Sequence, residues 1–320
     1  MPEIDSTPIV EELTPAELEA IQLERPDFEV QLQSLSQWQL AWRRFKRHHL
    51  AMVGAALFLG MCAVAIVGPI LLPYNFYVIP TPDKIVYAGR PPSLAHPFGE
   101  TGGLQRDVLT LVVNGARLSL LIGVGASIFG ATIGAIVGGV AGYFGGWVDN
   151  ILMRVVDIML SLPLLFVILV VSKFLGSGSW YLIMLIFAIF SWPGISRLVR
   201  SLFLSLRGED YVDAARAAGV GNARIIFRHI LPNAMSPIIV AATLSVVSVI
   251  ISEAFVSFLG FGVDVTQPTW GNVLSNSLNF ISLGNWWWPL FPGLAIVVTV
   301  LGISFMGDGL RDALDPRAKE

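Results

Sequence analysis

The sequence predicts an all-α integral membrane protein with six transmembrane helices, and three observations carry that prediction. Hydrophobic residues make up 54% of the 320 residues and charged residues only 13%, roughly half the charged share of an ordinary soluble domain. The mean hydropathy is +0.70, more apolar surface than a water-soluble chain can hide. Six apolar runs carry few charges or none, and each is long enough to cross a bilayer at about 1.5 Å per residue.

The elements follow in chain order. Residues 1–36 read as an acidic, disordered cytoplasmic tail. The first 40 positions hold nine acids against Arg25 alone, with no apolar stretch of the signal-peptide kind. In residues 37–49, Trp38, Leu40, Trp42 and Phe45 interleave with Arg43, Arg44, Lys46 and Arg47. That pattern suits an amphipathic helix on a membrane surface, or equally a plain juxtamembrane anchor. Residues 50–72 are uncharged and form the first span, ending near Pro73. Residues 73–117 form an external loop. Residues 118–307 form a five-helix core, with spans at about 118–144, 155–175, 180–198, 234–259 and 288–306. Residues 308–320 form a cytoplasmic C-terminus.

Charge sets the orientation. Four bases precede the first span, and the loop at 200–233 is rich in arginine, while Asp264 is the only charge in the loop at 260–287. Cytoplasmic loops carry the excess of bases, so both termini and 200–233 are cytoplasmic, and 73–117 and 260–287 external. Trp286, Trp287 and Trp288 sit where an interfacial aromatic belt belongs. In the second span Gly130, Gly134, Gly138, Gly142 and Gly146 recur every fourth residue. One nearly bare helix face results, suited to close helix packing rather than to lining a substrate path.

Several chemistries find no support. Cys62 is the single cysteine, so there is no disulfide within the chain and no thiolate metal site; the four histidines lack metalloprotease spacing. No metal site is expected, no cofactor is assigned to this chain, and nothing points to nucleic acid. None of the four lysines follows a glycine, so the chain has no phosphate-binding P-loop. Asp157 and Glu253 are the intramembrane acids. Such groups are functional candidates by default, but both lie near span ends, where water or headgroups reach them. Arg154 is placed for a local ion pair with Asp157. Structural roles are favoured for both acids. A proton-coupled secondary transporter would need acids nearer mid-span, and a membrane hydrolase a nucleophile–base pair.

The most informative stretch is the loop from Glu209 to Pro232. Glu209 and Asp210 favour a helix start through the macrodipole, and Gly219 suits a helix stop with positive φ. Gly221 and Asn222 suit a turn and N-cap, followed by a second helix that runs to Leu231 before Pro232. The first helix is short and alanine-rich, marginal alone in water, so it docks on something: the chain's own membrane domain or a cytoplasmic partner.

Asp213-Ala214-Ala215, Gly219 and Leu231-Pro232 resemble the EAA loop of bacterial ABC importer membrane subunits, E-A-A-x3-G-x9-I-x-L-P, with Asp213 in place of Glu and His229 in place of Ile. His96-Pro-Phe-Gly99, Arg106-Asp107, the segments 115–120, 141–149, 258–262 and 268–271, and Gly307 to Pro316 are similar to the C-type permeases of the dipeptide/oligopeptide/nickel group. After His96 the sequence Glu-Thr-Gly-Gly-Leu-Gln-Arg-Asp departs from the group's more usual Thr-Asp-x-Leu-Gly-Arg-Asp. The resemblance covers about residues 38–316. It implies a type I ABC importer transmembrane domain in the bacterial cytoplasmic (inner) membrane. It also implies a homologous B-type permease, two cytoplasmic ATPase subunits that carry ATP and Mg, and an extracytoplasmic solute-binding protein. Asp213, Ala214, Ala215 and Gly219 would form the coupling helix, and Leu231 and Pro232 its exit. Di- or oligopeptides are the implied cargo, with nickel or another small solute as the alternative.

Overall fold

The computed structural model describes residues 37–72, 89–175 and 178–315. The expected tail at 1–36, part of the expected external loop at 73–88 and the last residues of the C-terminus lie outside them. The chain divides into two units, residues 1–39 and 40–320. Of the first, only residues 37–39 are described, as the start of helix α1 (Gln37–Arg47). The second unit is helical among its described residues: α2 (His49–Leu71), α3 (Val108–Phe144), α4 (Gly146–Ser161), α5 (Leu164–Leu175), α6 (Trp180–Leu206), α7 (Asp210–Ala217), α8 (Asn222–Ile225), a π-helical turn (Ile226–Ile230), α9 (Leu231–Phe258), α10 (Trp270–Ile281) and α11 (Trp287–Leu314). Among the described residues five helices are long and apolar enough to cross a membrane, and one bent pair of helices passes the same test together.

Three boundaries differ from the sequence reading. Helix α3 begins at Val108, ten residues inside the expected external loop. Asp107 caps it, its carboxylate accepting from the Thr110 N–H at 2.7 Å and the Thr110 hydroxyl at 2.6 Å. Arg117 and Asn114 hid that start in the sequence, although Arg117 is exposed on the helix surface. The third span is not one helix over 155–175. It is α4 and α5, broken at Leu162-Pro163 and bent by 78°. The residue before a proline is pushed out of the helical region, and Leu162 is extended at φ −78°, ψ 125°. At about 1.5 Å per residue neither piece alone reaches the roughly 30 Å of a bilayer core. Finally, α6 runs to Leu206, so Arg200 sits on a helix and not in the loop expected from residue 200.

The most extensive helix pair is α3 with α6, followed by α2 with α11. The glycine stripe explains the first. A Cβ on Gly134 would lie 2.8 Å from the Trp192 carbonyl and one on Gly142 2.7 Å from the Arg200 carbonyl; on Gly138 it would strike the Ser196 carbonyl, and on Gly130 the Ser191 hydroxyl. The fifth glycine of the series is not in this contact. Gly146 has nothing near it and, with Gly145, takes positive φ in the turn from α3 to α4. The α2–α11 pair has its own close approach, a Cβ on Gly54 falling 2.6 Å from the Gly302 carbonyl.

Polar groups tie the ends. The Arg200 Nε and Nη2 donate to the two Asp149 carboxylate oxygens at 2.5 and 2.6 Å, joining α6 to α4. Arg207 donates to the Gly142 and Tyr143 carbonyls at 3.1 and 3.2 Å, closing the end of α3. In α1, Phe45 is buried against Ala51, Leu310 and Ala313, while Trp42 is exposed under the Lys46 ammonium. At the other end of α9, the Thr266 hydroxyl and N–H bind the Asp264 carboxylate and hold it below the usual carboxylate range.

Candidate coupling site at residues 209–232

Helix α7 starts from Glu209 in an extended conformation, with Asp210 and Asp213 in its first turn and Arg216 in its last. Both signs suit the dipole of so short a helix. Gly219 has φ +76°. The Val220 N–H donates to the Ala215 carbonyl at 3.1 Å and the Gly219 N–H to the Arg216 carbonyl at 2.9 Å. These two bonds are a Schellman stop, with a left-handed residue just past the last turn.

One face of this projection belongs to the membrane domain. Val212, Ile225 and Ile230 are fully buried in a cluster with Tyr143, Val199 and Phe203. The Tyr143 hydroxyl donates to the Asn222 amide oxygen at 2.8 Å. The Arg216 guanidinium lies 5.9 Å over the Tyr143 ring and bonds Asp213 at 2.9 Å. The opposite face is bare: Asp213, Ala214, Ala217, Ala218 and Gly219 are exposed, and Phe227 is 69% exposed. Ala215 is half-buried. The anchoring by Tyr143 and the exposed Phe227 were absent from the sequence reading. Tyr143 lies about 70 residues away in sequence, a separation no local pattern bridges.

The exit differs from expectation. The second helix does not end before Pro232. Residues 222–258 form one continuous helix, with Leu231 half-buried and Pro232 exposed in its middle. Pro232 offers no N–H, and its ring crowds the carbonyl four residues back. The wider π turn at Ile226–Ile230 relieves this, the Leu231 N–H reaching back to the Ile226 carbonyl. His229 stands where the motif has Ile, and the neighbouring Ile230 fills the core instead.

The two intramembrane acids lie apart from this site and from each other. Asp157 is half exposed, and its partner is Arg197 on α6 at 2.5 Å, not Arg154. Glu253 is not reached by water or headgroups: it is wholly buried. It accepts from the Ser257 hydroxyl at 2.7 Å and the Ser119 hydroxyl at 3.2 Å. Ser119 in turn accepts from the Trp270 N–H at 3.2 Å, so Glu253 locks α10 onto α3 and α9. The tryptophan triplet also departs from a belt. Trp286 is exposed, but Trp287 and Trp288 are buried, and the Trp287 indole donates to the Glu100 carbonyl at 3.1 Å.

Comparison with known proteins agrees with this architecture. Residues 130–320 match the family described as "Binding-protein-dependent transport system inner membrane component". Residues 36–92 match the "N-terminal TM domain of oligopeptide transport permease C". A dipeptide transport system permease protein of Alkalihalophilus pseudofirmus is 41% identical over 92% of this chain and 94% of its own length. One of Bacillus subtilis is 38% identical over 89% and 88%, and a glutathione transport system permease protein of Escherichia coli 39% identical over 95% and 97%. Among solved structures, the MetNI methionine ABC transporter in inward-facing conformations contains a chain with the same fold, at TM-score 0.53 and 22% identity over 64% of this chain and 96% of that one. With one family description covering more than half of the residues and relatives near 40% identity along almost the whole length, the chain belongs to the family of binding-protein-dependent transport system inner membrane components.

Proposed function

We propose that this chain is the membrane-spanning subunit of an ATP-driven importer of di- and oligopeptides, driven through residues 209–232 by ATPases on separate chains. The observation that carries the reading is the two-faced projection. Its Val212 face is rooted in the membrane domain, while Asp213, Ala214, Ala217 and Gly219 stand bare on a helix fixed by a Schellman stop. Small exposed residues on a rigid, rooted helix are what a groove on a partner needs, because the backbone can approach closely. The names of relatives at 38–41% identity favour peptides over nickel as cargo. Proton coupling is disfavoured, since Asp157 is ion-paired and Glu253 is held by hydroxyls.

The subunit works beside a homologous B-type permease. Two cytoplasmic ATPases bind ATP and Mg, and an extracytoplasmic binding protein delivers the peptide. Both termini and 209–232 face the cytoplasm. Closure of the ATPase pair moves the projection, and the spans exchange outward- and inward-facing arrangements. Reconstitution tests this. ATP hydrolysis stimulated by peptide-loaded binding protein, with matching peptide uptake, is the expected result. Uptake driven by a proton gradient without ATPases, or uptake of nickel in place of peptides, would overturn it.

A further inference from the structure

Helix α1 has one face fixed to the membrane domain and one left open. Within the second unit Ala41 and Phe45 are buried, Phe45 packing with Ala51 of α2 and with Met306, Leu310 and Ala313 of α11. Two basic side chains serve this docking. The Arg44 guanidinium donates to the Asp315 carbonyl at 3.1 Å. His48, at φ −84° and ψ 100°, ends α1 and caps α2. Its Nδ1 accepts from the Ala51 N–H at 3.1 Å, and its Nε2 lies 3.6 Å from Asp312. These contacts set the rotation of α1 against the ends of α2 and α11.

The open face carries the other cations. Arg43, Lys46 and Arg47 are all exposed, and they stand at i, i+3 and i+4, one patch on a helix surface. Among the described residues none of the three has an ion-pair partner. Like charges at this spacing repel one another, so the patch is unfavourable without an anion. The helix dipole accounts for cations in a last turn, but not for the aromatic ring among them. Trp42 is 57% exposed, with the Lys46 ammonium 5.0 Å from its ring centroid. Indole rings gather at the headgroup level of a bilayer.

The position along the chain fits that level. Leu50, Met52 and Val53 of α2 are exposed, and residues 50–72 carry no charge. The outer surface thus changes from basic to wholly apolar within about one turn of Arg47. The boundary between headgroups and hydrocarbon belongs there. A phospholipid at that boundary matches both halves of the surface. Its phosphate meets the three cations, and its acyl chains run beside Leu50 and Val53. Long basic side chains suit this, since they keep their charged heads at the interface. A soluble anion would use the cations and leave Trp42 and Leu50 bare.

We infer that the open face of α1 holds an anionic phospholipid, with Arg43, Lys46 and Arg47 on its phosphate and Trp42 and Leu50 beside its glycerol and upper acyl chains. The docking of the opposite face is what makes this a site: the three cations are carried on a helix whose rotation is fixed. The inference is independent of what the chain carries. The test uses the assembled complex in phosphatidylcholine nanodiscs, with a bimane fluorophore on Leu50→Cys in a Cys62→Ser background. Phosphatidylglycerol or phosphatidylcholine, each with the same quenching spin label high on one acyl chain, is added in trace amounts. Phosphatidylglycerol should quench at a mole fraction at least about tenfold lower, because each base near an anionic surface contributes about fivefold. Arg43→Gln, Lys46→Gln and Arg47→Gln should each reduce that preference by up to about fivefold. Lys46→Arg should keep it. Arg311→Gln, an exposed base of α11 outside the patch, should leave it unchanged.

Each single variant keeps three of the four bases ahead of α2 and leaves Ala41 and Phe45 in place, so insertion and docking stand. Equal quenching by the two lipids in the wild type would overturn the inference. So would a preference that survives all three neutralising variants. A preference lowered as much by Arg311→Gln as by the patch variants would mean a diffuse field and no site. Reversal of the quenching by inorganic phosphate at constant ionic strength would give the cations to a free anion and overturn the lipid assignment. Release of the ATPase subunits by the three variants, with the lipid preference unchanged, would give the patch to a protein partner instead.

Discussion

Gly219 has open space where a Cβ would go, so its requirement is conformational rather than steric: φ is +76° with no atom nearby. A β-branched residue is strained there by about 1–3 kcal/mol. Gly219→Val should therefore unwind the Schellman stop without touching the spans. The expected outcome is normal membrane abundance with lost uptake and lost stimulation of ATP hydrolysis; reduced insertion instead would show that the stop serves folding. Val212→Ala probes the buried face of the same helix. It removes a fully buried side chain at about 2 kcal/mol and should loosen the projection as a whole. Asp213→Ala should act in the same direction but more weakly, since it breaks one exposed pair with Arg216. Glu253 belongs to a different kind of site. Glu253→Ala strands the Ser119 and Ser257 hydroxyls and opens a cavity, roughly 3 kcal/mol in all, so thermal stability should fall and the segment 259–269 become cleavable by protease. Glu253→Gln keeps an acceptor oxygen and should lose much less; equal losses in both variants would deny the network its role.

At the scale of elements, the α3–α6 contact depends on glycines that admit the partner backbone. Gly138→Leu and Gly134→Leu force a side chain onto the Ser196 and Trp192 carbonyls, and overpacking costs about 1–3 kcal/mol or more. Less assembled protein should be recovered from membranes, which quantitative blotting reads directly; wild-type yield from both variants would show that the helices separate without penalty. This contact was legible because a period of four is a property of the sequence alone. The matching α2–α11 approach was not, since Gly54 and Gly302 are isolated glycines on distant helices and only the fold brings them together. Local chemistry also announced α7, from the acids at its start to the glycine at its stop. The break at Pro163 and the continuity through Pro232 show the limit of that reasoning. One proline ends a helix and the other rides in one beside a π turn, as Pro193 and Pro292 ride in theirs without one, and no residue pattern marks which will happen. Asp157 misled for a similar reason: Arg154 was near in sequence, whereas Arg197 is near in space.

For the whole molecule, the decisive question is which end faces the cytoplasm. Single cysteines in a Cys62→Ser background answer it, with Ala217→Cys on the projection and Ser282→Cys just past α10, both exposed. An impermeant thiol reagent added to intact cells should label the second and not the first; labelling of Ala217→Cys from outside would invert the molecule and with it the coupling assignment. The same two ends are joined by a single helix, residues 222–258, about 55 Å of continuous backbone at its usual rise. The π turn within it absorbs a residue. It holds one residue more than the α turn it replaces and completes the same circle, so deleting one residue from 226–230 would smooth the rod and leave the projection facing nearly as it does. Deleting one residue from the regular helix that follows, where each residue advances the chain by about 100°, would swing the bare face of Asp213, Ala214 and Ala217 by roughly a quarter turn, to look sideways along the membrane. The compass bearing of the projection is thus set by a count of residues, and the π turn is a stretch of the rod where that count can change without moving it.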